Sequence, residues 1–246
     1  MFSILKKTVR FSSDYFPIVT DIHSHILPGI DDGSPDVNTS IALIEGLMKL
    51  GITQSIATPH IIGDMYRNDA ATIHAALALL NNALLKKQID FKVTAAAEYM
   101  LDDYFLELLS SNTALLTIKD NVVLTEFSYA DKPYNVEQIL FKIITEGYQP
   151  ILAHPERYGY YHNDFKQYDH LSDIGFLLQV NLLSLTGYYG KPAAKAANYI
   201  IKNNLHSFVG TDMHHDRHLT ALSDQKNRQL FSTMLNNKRY NEDMLF

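Results

Sequence analysis

Short apolar runs, each followed closely by a histidine or a carboxylate, recur along the chain. Six of these runs are predicted to be buried strands, and a seventh at 176–181 fills the gap between the fifth and the last. The six are 18–22, 55–57, 93–97, 122–124, 151–153 and 208–209. Because the runs are solidly apolar, they are typical of parallel strands that are covered on both faces.

Amphipathic stretches lie between these strands. Ser34 followed by Pro35 predicts a helix start, and apolar residues then recur at helical spacing until Gly51. Asn68 is the predicted N-cap of a second helix with one apolar face. Further helices are expected over 136–144, near 191–203 and near 222–236.

Alternation of apolar strands with amphipathic helices predicts an α/β fold with a parallel sheet covered by helices. Seven such units favour a distorted (β/α)7 barrel, similar to a TIM barrel, formed by one domain over 1–246. An open doubly wound sheet is the alternative, but its ligands would cluster at one switch point. The lead at 1–17 and the polar tail at 238–246 have no predicted role.

The composition agrees with one domain, since 246 residues with 46% hydrophobic content can bury a substantial core. No apolar stretch approaches the roughly 18 residues of a membrane span, and the N-terminus lacks the apolar centre of a signal peptide. We therefore expect a cytoplasmic protein. Cysteine is absent, which excludes disulfides and every mechanism that needs a thiolate, including the phosphocysteine route of many phosphatases.

The formal charge of −6, without any block of lysine or arginine, argues against a nucleic-acid surface. An anionic substrate is still compatible with this charge. If the chain held three divalent ions (+6) with four carboxylates (−4) and one bridging hydroxide (−1), the local charge of that site would be about +1.

Nine candidate metal ligands lie at the carboxyl ends of the predicted strands. They are His23, His25, Asp32, His60, Glu98, Glu126, His154, Asp212 and His214. The carboxyl ends of parallel strands in a barrel meet at one rim, where barrel enzymes have their active sites. Imidazoles and carboxylates at that rim predict a metal-dependent catalytic site.

Each ligand has a structural alternative when it is considered singly. The segment 31–33 (Asp-Asp-Gly) has the composition of an ordinary turn. Glu98 and Glu126 end apolar runs and need a partner when buried, which is either a cation or a salt bridge to Arg157 or Arg217. Taken together, the nine residues favour metal binding.

Six motifs resemble the polymerase and histidinol phosphatase superfamily, and within it the manganese-dependent protein tyrosine phosphatases of bacterial capsule and exopolysaccharide operons. The motifs are D-I-H-S-H-I-L-P-G-I-D-D-G at 21–33, A-T-P-H at 57–60, A-E-Y at 97–99, T-E-F at 125–127, A-H-P-E-R-Y at 153–158 and G-T-D-M-H at 210–214. They cover most of the chain in the expected order.

The resemblance implies three divalent ions, expected to be Mn²⁺, although oxygen and nitrogen ligands also suit iron or zinc. The implied ligand sets are His23, His25, Glu98 and Asp212 for the first ion, Glu98, Glu126 and His154 for the second, and Asp32, His60 and His214 for the third. Arg157 and Arg217 would contact the phosphate of the substrate.

The expected activity is hydrolysis of phosphotyrosine on a bacterial tyrosine autokinase, by attack of a hydroxide that bridges two ions. A small-molecule phosphoesterase such as histidinol phosphatase, or a non-catalytic metal-binding regulatory module, are the alternatives. His215 and His218 are candidates for outer contacts or for a proton donor. The tyrosines of 157–161 either stack on a substrate ring or pack over helices.

Overall fold

The structure is a computed structural model that describes residues 15–111 and 113–244. The strands of this part are β1 (Thr20–Asp21), β2 (Gln54–Ala57), β3 (His60–Ile61), β4 (Lys92–Ala95), β5 (Glu98–Met100), β6 (Val122–Glu126), β7 (Gln149–Ala153), β8 (Leu177–Asn181) and β9 (His206–Gly210). Its α-helices are α1 (Val37–Lys49), α2 (Ala70–Lys86), α3 (Asp103–Ser110), α4 (Val136–Thr145), α5 (Lys166–Ile174), α6 (Lys191–Lys202), α7 (Asp216–Ser223) and α8 (Gln225–Met234).

All paired strands run parallel, in two sheets. One sheet has the order β1-β2-β4, and the other has the order β3-β5-β6-β7-β8-β9. β3 follows β2 and β5 follows β4 after only two residues each, so the chain passes from the first sheet into the second twice. The predicted α/β fold with parallel strands is therefore confirmed.

The carboxyl ends of β1 and β9 are connected through their following residues. Ser24 and Met213 form an isolated parallel bridge. The amide of His25 donates to the carbonyl of Met213 at 2.8 Å, and the amide of Asp212 donates to the carbonyl of His23 at 2.8 Å. These contacts bring the first and the last group of predicted ligands together.

The C-terminal tail packs against the same two strands. The side-chain amide of Asn241 donates to the carbonyl of Thr20 in β1 at 3.0 Å and to that of Val209 in β9 at 2.7 Å. Met244 is buried in a small apolar cluster with Ile22 and Leu124. The tail, for which the sequence predicted no role, thus fills the space between the first and the last strand.

Two helix starts differ from the sequence prediction. The N-cap of α1 is Asp36, whose carboxylate accepts from the amide of Thr39, because the hydroxyl of Ser34 donates to the Asp36 carbonyl instead. The N-cap of α2 is Asp69, in a capping box with Thr72. Ser34 and Asn68 were therefore wrong as caps.

Other differences concern helix number. The helix predicted near 222–236 is present as α8, whereas α3, α5 and α7 had no prediction. The helices predicted over 136–144 and near 191–203 are present as α4 and α6. None of the helices in the described segments is long and apolar enough to cross a membrane. Most of the predicted lead, residues 1–14, lies outside the described residues.

Candidate metal centre

All nine predicted ligands converge at the carboxyl ends of the strands. They form four overlapping groups, and within each group one ligand atom from every member lies within 4.8 Å of the others. The groups are His25, Asp32, His60 and His214; His23, His154 and Asp212; His23, His25 and Glu98; and His60, Glu98 and Glu126. Such spacing allows several cations to share ligands.

Strand register and backbone conformation bring these side chains to one rim. His60 is the register partner of Glu98, and Met100 is the partner of Glu126, so adjacent strands end at similar heights. His154 and Asp212 follow β7 and β9 with φ values of 37° and 52°, in the left-handed region. Non-glycine residues there are uncommon and concentrate at functional sites.

Glu98 lies at the middle of the centre and is fully buried. Its Oε2 lies 3.2 Å from Nε2 of His23, 3.3 Å from Nε2 of His25 and 3.2 Å from Nδ1 of His60. Its Oε1 lies 3.0 Å from Nε2 of His154. Both carboxylate oxygens therefore face imidazole nitrogens, as a ligand shared between two ions would.

Buried polar atoms of the centre lack partners that could satisfy them. Nδ1 of His60, Oε2 of Glu98 and Oε1 of Glu126 are buried without a hydrogen bond of good geometry. The Nε2 atoms of His23 and His25 face each other at 3.3 Å. A divalent cation satisfies such a set of nitrogen and oxygen donors, so the residues fit a metal centre.

Four of the five histidines use their second ring nitrogen to contact an acceptor outside the centre. Nδ1 of His23 contacts Oε1 of Gln179 at 2.8 Å, and Nδ1 of His25 contacts Oδ2 of Asp31 at 2.8 Å. Two further contacts join Nδ1 of His214 to the carbonyl of Asp212 at 2.9 Å and Nδ1 of His154 to the hydroxyl of Tyr129 at 3.3 Å. These partners orient Nε2 toward the centre.

The sequence did not predict Gln179, Asp31 or Tyr129 as part of the site. A glutamine between the apolar residues Leu178 and Val180 of β8 was the available signal, since a fully buried amide needs a hydrogen-bond partner. Asp31 adjoins the predicted ligand Asp32 and had only been interpreted as part of a turn.

Mutual charge shifts the pKa values of the centre. Burial is the largest influence on His23 and opposes its charged form, but the charges of Glu98 and Asp212 outweigh it and raise its pKa to about 9. Burial and then the charge of Glu98 raise the pKa of Glu126 to about 7. Mainly the hydrogen bond with His214 lowers the pKa of Asp32 to about 2. Metal binding displaces protons from its ligands, so cations that bind at this centre would replace the protons on these side chains.

Arg157 lies beside the centre and is bound to Asp212. Its Nη1 donates to Oδ2 of Asp212 at 2.5 Å, and the side-chain amide of Asn181 donates to the same oxygen at 3.0 Å. Oδ1 of Asp212 instead faces Nε2 of His23 at 3.3 Å. Each carboxylate oxygen thus has a separate set of partners, and the salt bridge of Arg157 involves Asp212 rather than Glu98 or Glu126.

The structure does not bring Arg217 to the centre. Arg217 is exposed on α7, where it lines a surface groove with Thr220 and Asn227. His218 is buried beside the centre instead, and its Nδ1 accepts from the amide of His214 at 3.3 Å. His215 is the N-cap of α7. Both histidines that were candidates for outer contacts therefore lie next to the last ligand pair.

The tyrosine-rich segment after Arg157 mainly packs. Tyr158 and Tyr161 are buried, and the hydroxyl of Tyr158 accepts from the amide of Phe127 at 2.9 Å while it donates to the carbonyl of Ala153 at 3.0 Å. Tyr160 donates to the carbonyl of Ser128 at 3.0 Å. The packing alternative is therefore correct for Tyr158 and Tyr161, whose rings cannot reach a substrate.

Known proteins are similar to this chain in sequence and in fold. The chain is 32% identical to tyrosine-protein phosphatase YwqE of Bacillus subtilis (strain 168) over 194 residues, which are 79% of this chain and 76% of that protein. It is 30% identical to putative tyrosine-protein phosphatase CapC of Staphylococcus aureus over 196 residues, which are 80% of this chain and 77% of that protein.

A solved structure agrees with these relatives. It belongs to a crystallographic study of YwqE from Bacillus subtilis and CpsB from Streptococcus pneumoniae, described there as unique metal-dependent tyrosine phosphatases. The TM-score is 0.74 at 28% identity, and the match covers 90% of this chain and 96% of that chain. The sequence profile of the family described as capsular polysaccharide synthesis, CpsB/CapC, matches residues 19–242. The chain therefore belongs to the CpsB/CapC family of capsular polysaccharide synthesis proteins.

Proposed function

We propose that this protein is a metal-dependent protein tyrosine phosphatase that hydrolyses phosphotyrosine monoesters. The observation that carries the proposal is the convergence of nine nitrogen and oxygen ligands around the buried carboxylate of Glu98, with the cation of Arg157 beside them. The relatives that share most of this chain are named as tyrosine-protein phosphatases, which supports the same reaction.

The nine ligands are proposed to hold three divalent ions. His23, His25, Glu98 and Asp212 would hold the first, Glu98, Glu126 and His154 the second, and Asp32, His60 and His214 the third. His60 presents Nδ1 to Glu126 at 3.0 Å and Nε2 to Asp32 at 3.5 Å, so its ring lies between the second and third sets. Mn²⁺ is the proposed ion, and the absence of sulfur ligands agrees with it.

When bound, divalent ions polarise a phosphoryl group and acidify water. Arg157 is proposed to contact the non-bridging phosphate oxygens, because its guanidinium is mostly buried and presents several donors in a fixed plane. A phenol leaves with a pKa near 10 and needs less protonation than an alkyl alcohol, so an aryl ester is the easier substrate. Arg217 would reach the phosphate only with a different side-chain position.

The two sheets are further proposed to be parts of one distorted (β/α)7 barrel in a single domain. β2 with β3 and β4 with β5 would each count as one interrupted strand, which leaves seven. The contacts of Asn241 with both β1 and β9 and the bridge between Ser24 and Met213 support closure.

The proposed substrate protein is a bacterial tyrosine autokinase of capsule or exopolysaccharide assembly, in the cytoplasm. The family description supports this biological setting. The proposed contacts are with the phosphotyrosine alone, so phosphatase assays on candidate kinases are needed to identify the substrate protein.

Metal add-back tests the activity. The chelated protein receives Mn²⁺, and phosphate release is measured from a tyrosine phosphopeptide, histidinol phosphate and a nucleoside monophosphate. Faster turnover of the phosphopeptide supports the proposal, and faster turnover of a small ester supports a small-molecule phosphoesterase. Absence of hydrolysis of every aryl phosphate supports a binding module. Asp32→Ala and His60→Ala are the inactive controls, since both residues are proposed ligands.

A further inference from the structure

Two tyrosines outside the ligand set lie against the metal centre. The ring of Tyr66 stacks on His60, with centroids 5.7 Å apart and planes 15° apart. The ring of Tyr129 stacks on His154, with centroids 5.8 Å apart and planes 24° apart. His60 and His154 contact different oxygens of Glu98, so the two tyrosines adjoin different parts of the centre.

Both tyrosines keep part of their surface in contact with solvent. Tyr129 is 45% exposed, although it contacts a predicted metal ligand and its ring centroid lies 5.1 Å from Cζ of Arg157. Tyr66 is partly exposed as well. This exposure leaves part of each side chain accessible to a substrate that binds at the centre.

Hydrogen bonds hold the backbone that carries each tyrosine. The amide of Tyr66 donates to the carbonyl of Ile62 at 3.1 Å, and the carbonyl of Tyr66 accepts from the amide of Ile62 at 3.0 Å, which closes a tight loop. The amide of Gly63 in this loop donates to Oδ2 of Asp102 at 2.9 Å. Tyr129 lies between Ser128 and Ala130, and the hydroxyl of Ser128 accepts from the amide of Ala130 at 3.1 Å. Ordered backbone next to each ring reduces the conformational freedom that is lost when a ligand binds.

We infer that Tyr66 and Tyr129 form an aromatic mouth over the metal centre and select phosphate monoesters whose ester oxygen is attached to an aromatic ring. This inference rests on the proposed phosphatase function. In an aryl phosphate one oxygen joins phosphorus directly to the ring, so a phosphate at the centre leaves the ring at the rim. An alkyl phosphate such as phosphoserine offers these tyrosines no π face.

The test measures selectivity rather than activity alone. Phenylphosphonate and methylphosphonate carry the same anionic group and are not hydrolysed, so their dissociation constants can be compared by calorimetry on the manganese-loaded protein. Tyr66→Ala and Tyr129→Ala are each expected to raise the dissociation constant of phenylphosphonate by about three- to tenfold. The dissociation constant of methylphosphonate should change much less. Tyr66→Phe and Tyr129→Phe should retain most of the preference. Tyr134→Ala is the matched control, because Tyr134 is 96% exposed and lies outside the site.

Several results would overturn the inference. If the alanine variants, or Tyr129→Phe, bind both phosphonates more weakly by the same factor, the tyrosine only positions its neighbouring histidine. An equal effect of Tyr134→Ala would make the change non-specific. The ratio of kcat/KM for a tyrosine phosphopeptide to that for the matching serine phosphopeptide should fall in the same variants. A wild-type protein that prefers phenylphosphonate but hydrolyses no phosphopeptide would contradict the proposed function and leave the aromatic mouth supported.

Discussion

Oε1 of Gln179 accepts a hydrogen bond at 2.8 Å from Nδ1 of His23, the ring nitrogen that faces away from Glu98 and Asp212. Both residues are fully buried, and they lie 156 positions apart in the chain. Gln179 therefore selects the tautomer of His23 that leaves Nε2 free to bind a cation.

Loss of this outer contact should weaken metal binding. Gln179→Met is close in volume but cannot accept the hydrogen bond, so we expect manganese affinity to fall by about 10- to 100-fold. Titration calorimetry of the chelated protein with Mn²⁺ measures the change. Gln229→Met, on the exposed surface of α8, is the control, and equal affinities for the two variants would contradict the role of Gln179.

Removal of metal should lower the stability of the fold. The centre places buried carboxylates within 3.0–3.4 Å of imidazole nitrogens, and a ligand that binds only the folded state stabilises it. At a manganese concentration one hundred times the dissociation constant, the expected gain is about 2.7 kcal/mol. Thermal unfolding of chelated protein with and without Mn²⁺ tests this, and identical midpoints would count against a metal centre.

Gly33 should not tolerate a side chain. A Cβ at this position would lie 2.1 Å from the carbonyl oxygen of His25 and 2.4 Å from its Cβ. The neighbouring loop that carries Asp31 and Asp32 would have to move, so we expect Gly33→Ala to destabilise the fold by about 2–3 kcal/mol and to weaken metal binding. Chemical denaturation measures the first effect. Gly159→Ala is the control, since a Cβ there meets nothing within 4 Å.

The two arginines should differ in their kinetic effects. Arg157→Ala removes the cation beside Asp212, and we expect kcat/KM for a tyrosine phosphopeptide to fall by about 100- to 1,000-fold. Arg217→Ala should cause a smaller loss, because Arg217 is exposed on α7. Arg157→Lys keeps the charge but not the planar donor geometry, and should recover only part of the activity. A larger effect of Arg217→Ala would show that its side chain moves to the substrate.

Protonation of His206 should lower the free energy of unfolding in mild acid. It lies at the start of β9, where burial and then the charge of Lys238 lower its pKa to about 4 from an ordinary value of 6.5. The folded state thus favours the neutral ring. Its contribution is complete above pH 6.5 and is lost as the pH falls toward 4, because the unfolded chain binds the proton first.

This contribution is expected to be about 1–3 kcal/mol. The free energy of unfolding of the wild type and of His206→Gln should be measured by denaturation at several pH values. The difference between the two proteins should shrink between pH 6.5 and 4. Parallel curves over this interval would contradict the assignment.

Sequence by itself predicted the apolar strands and the types of side chain at their carboxyl ends. Solidly apolar runs such as 151–153 form strands wherever both faces are covered, and β7 spans Gln149–Ala153 accordingly. The convergence of the nine candidate ligands could be predicted because most of them lie at or just after the ends of such runs, and parallel strands bring their carboxyl ends to one edge. Both inferences depend only on local patterns and on a general rule of topology.

Tertiary structure decided which side chains support that chemistry. Asn68 caps no helix, because its amide donates to the carbonyls of Ile30 at 2.8 Å and His60 at 3.0 Å, two partners that are distant or unmarked in the sequence. Gln179 likewise contacts His23, which follows β1, and Asn241 contacts Thr20 in β1, both far away in the chain. The hydrogen-bond partners of a polar side chain depend on which groups lie near it in space. A sequence pattern that identifies a strand or a ligand type therefore does not specify those partners.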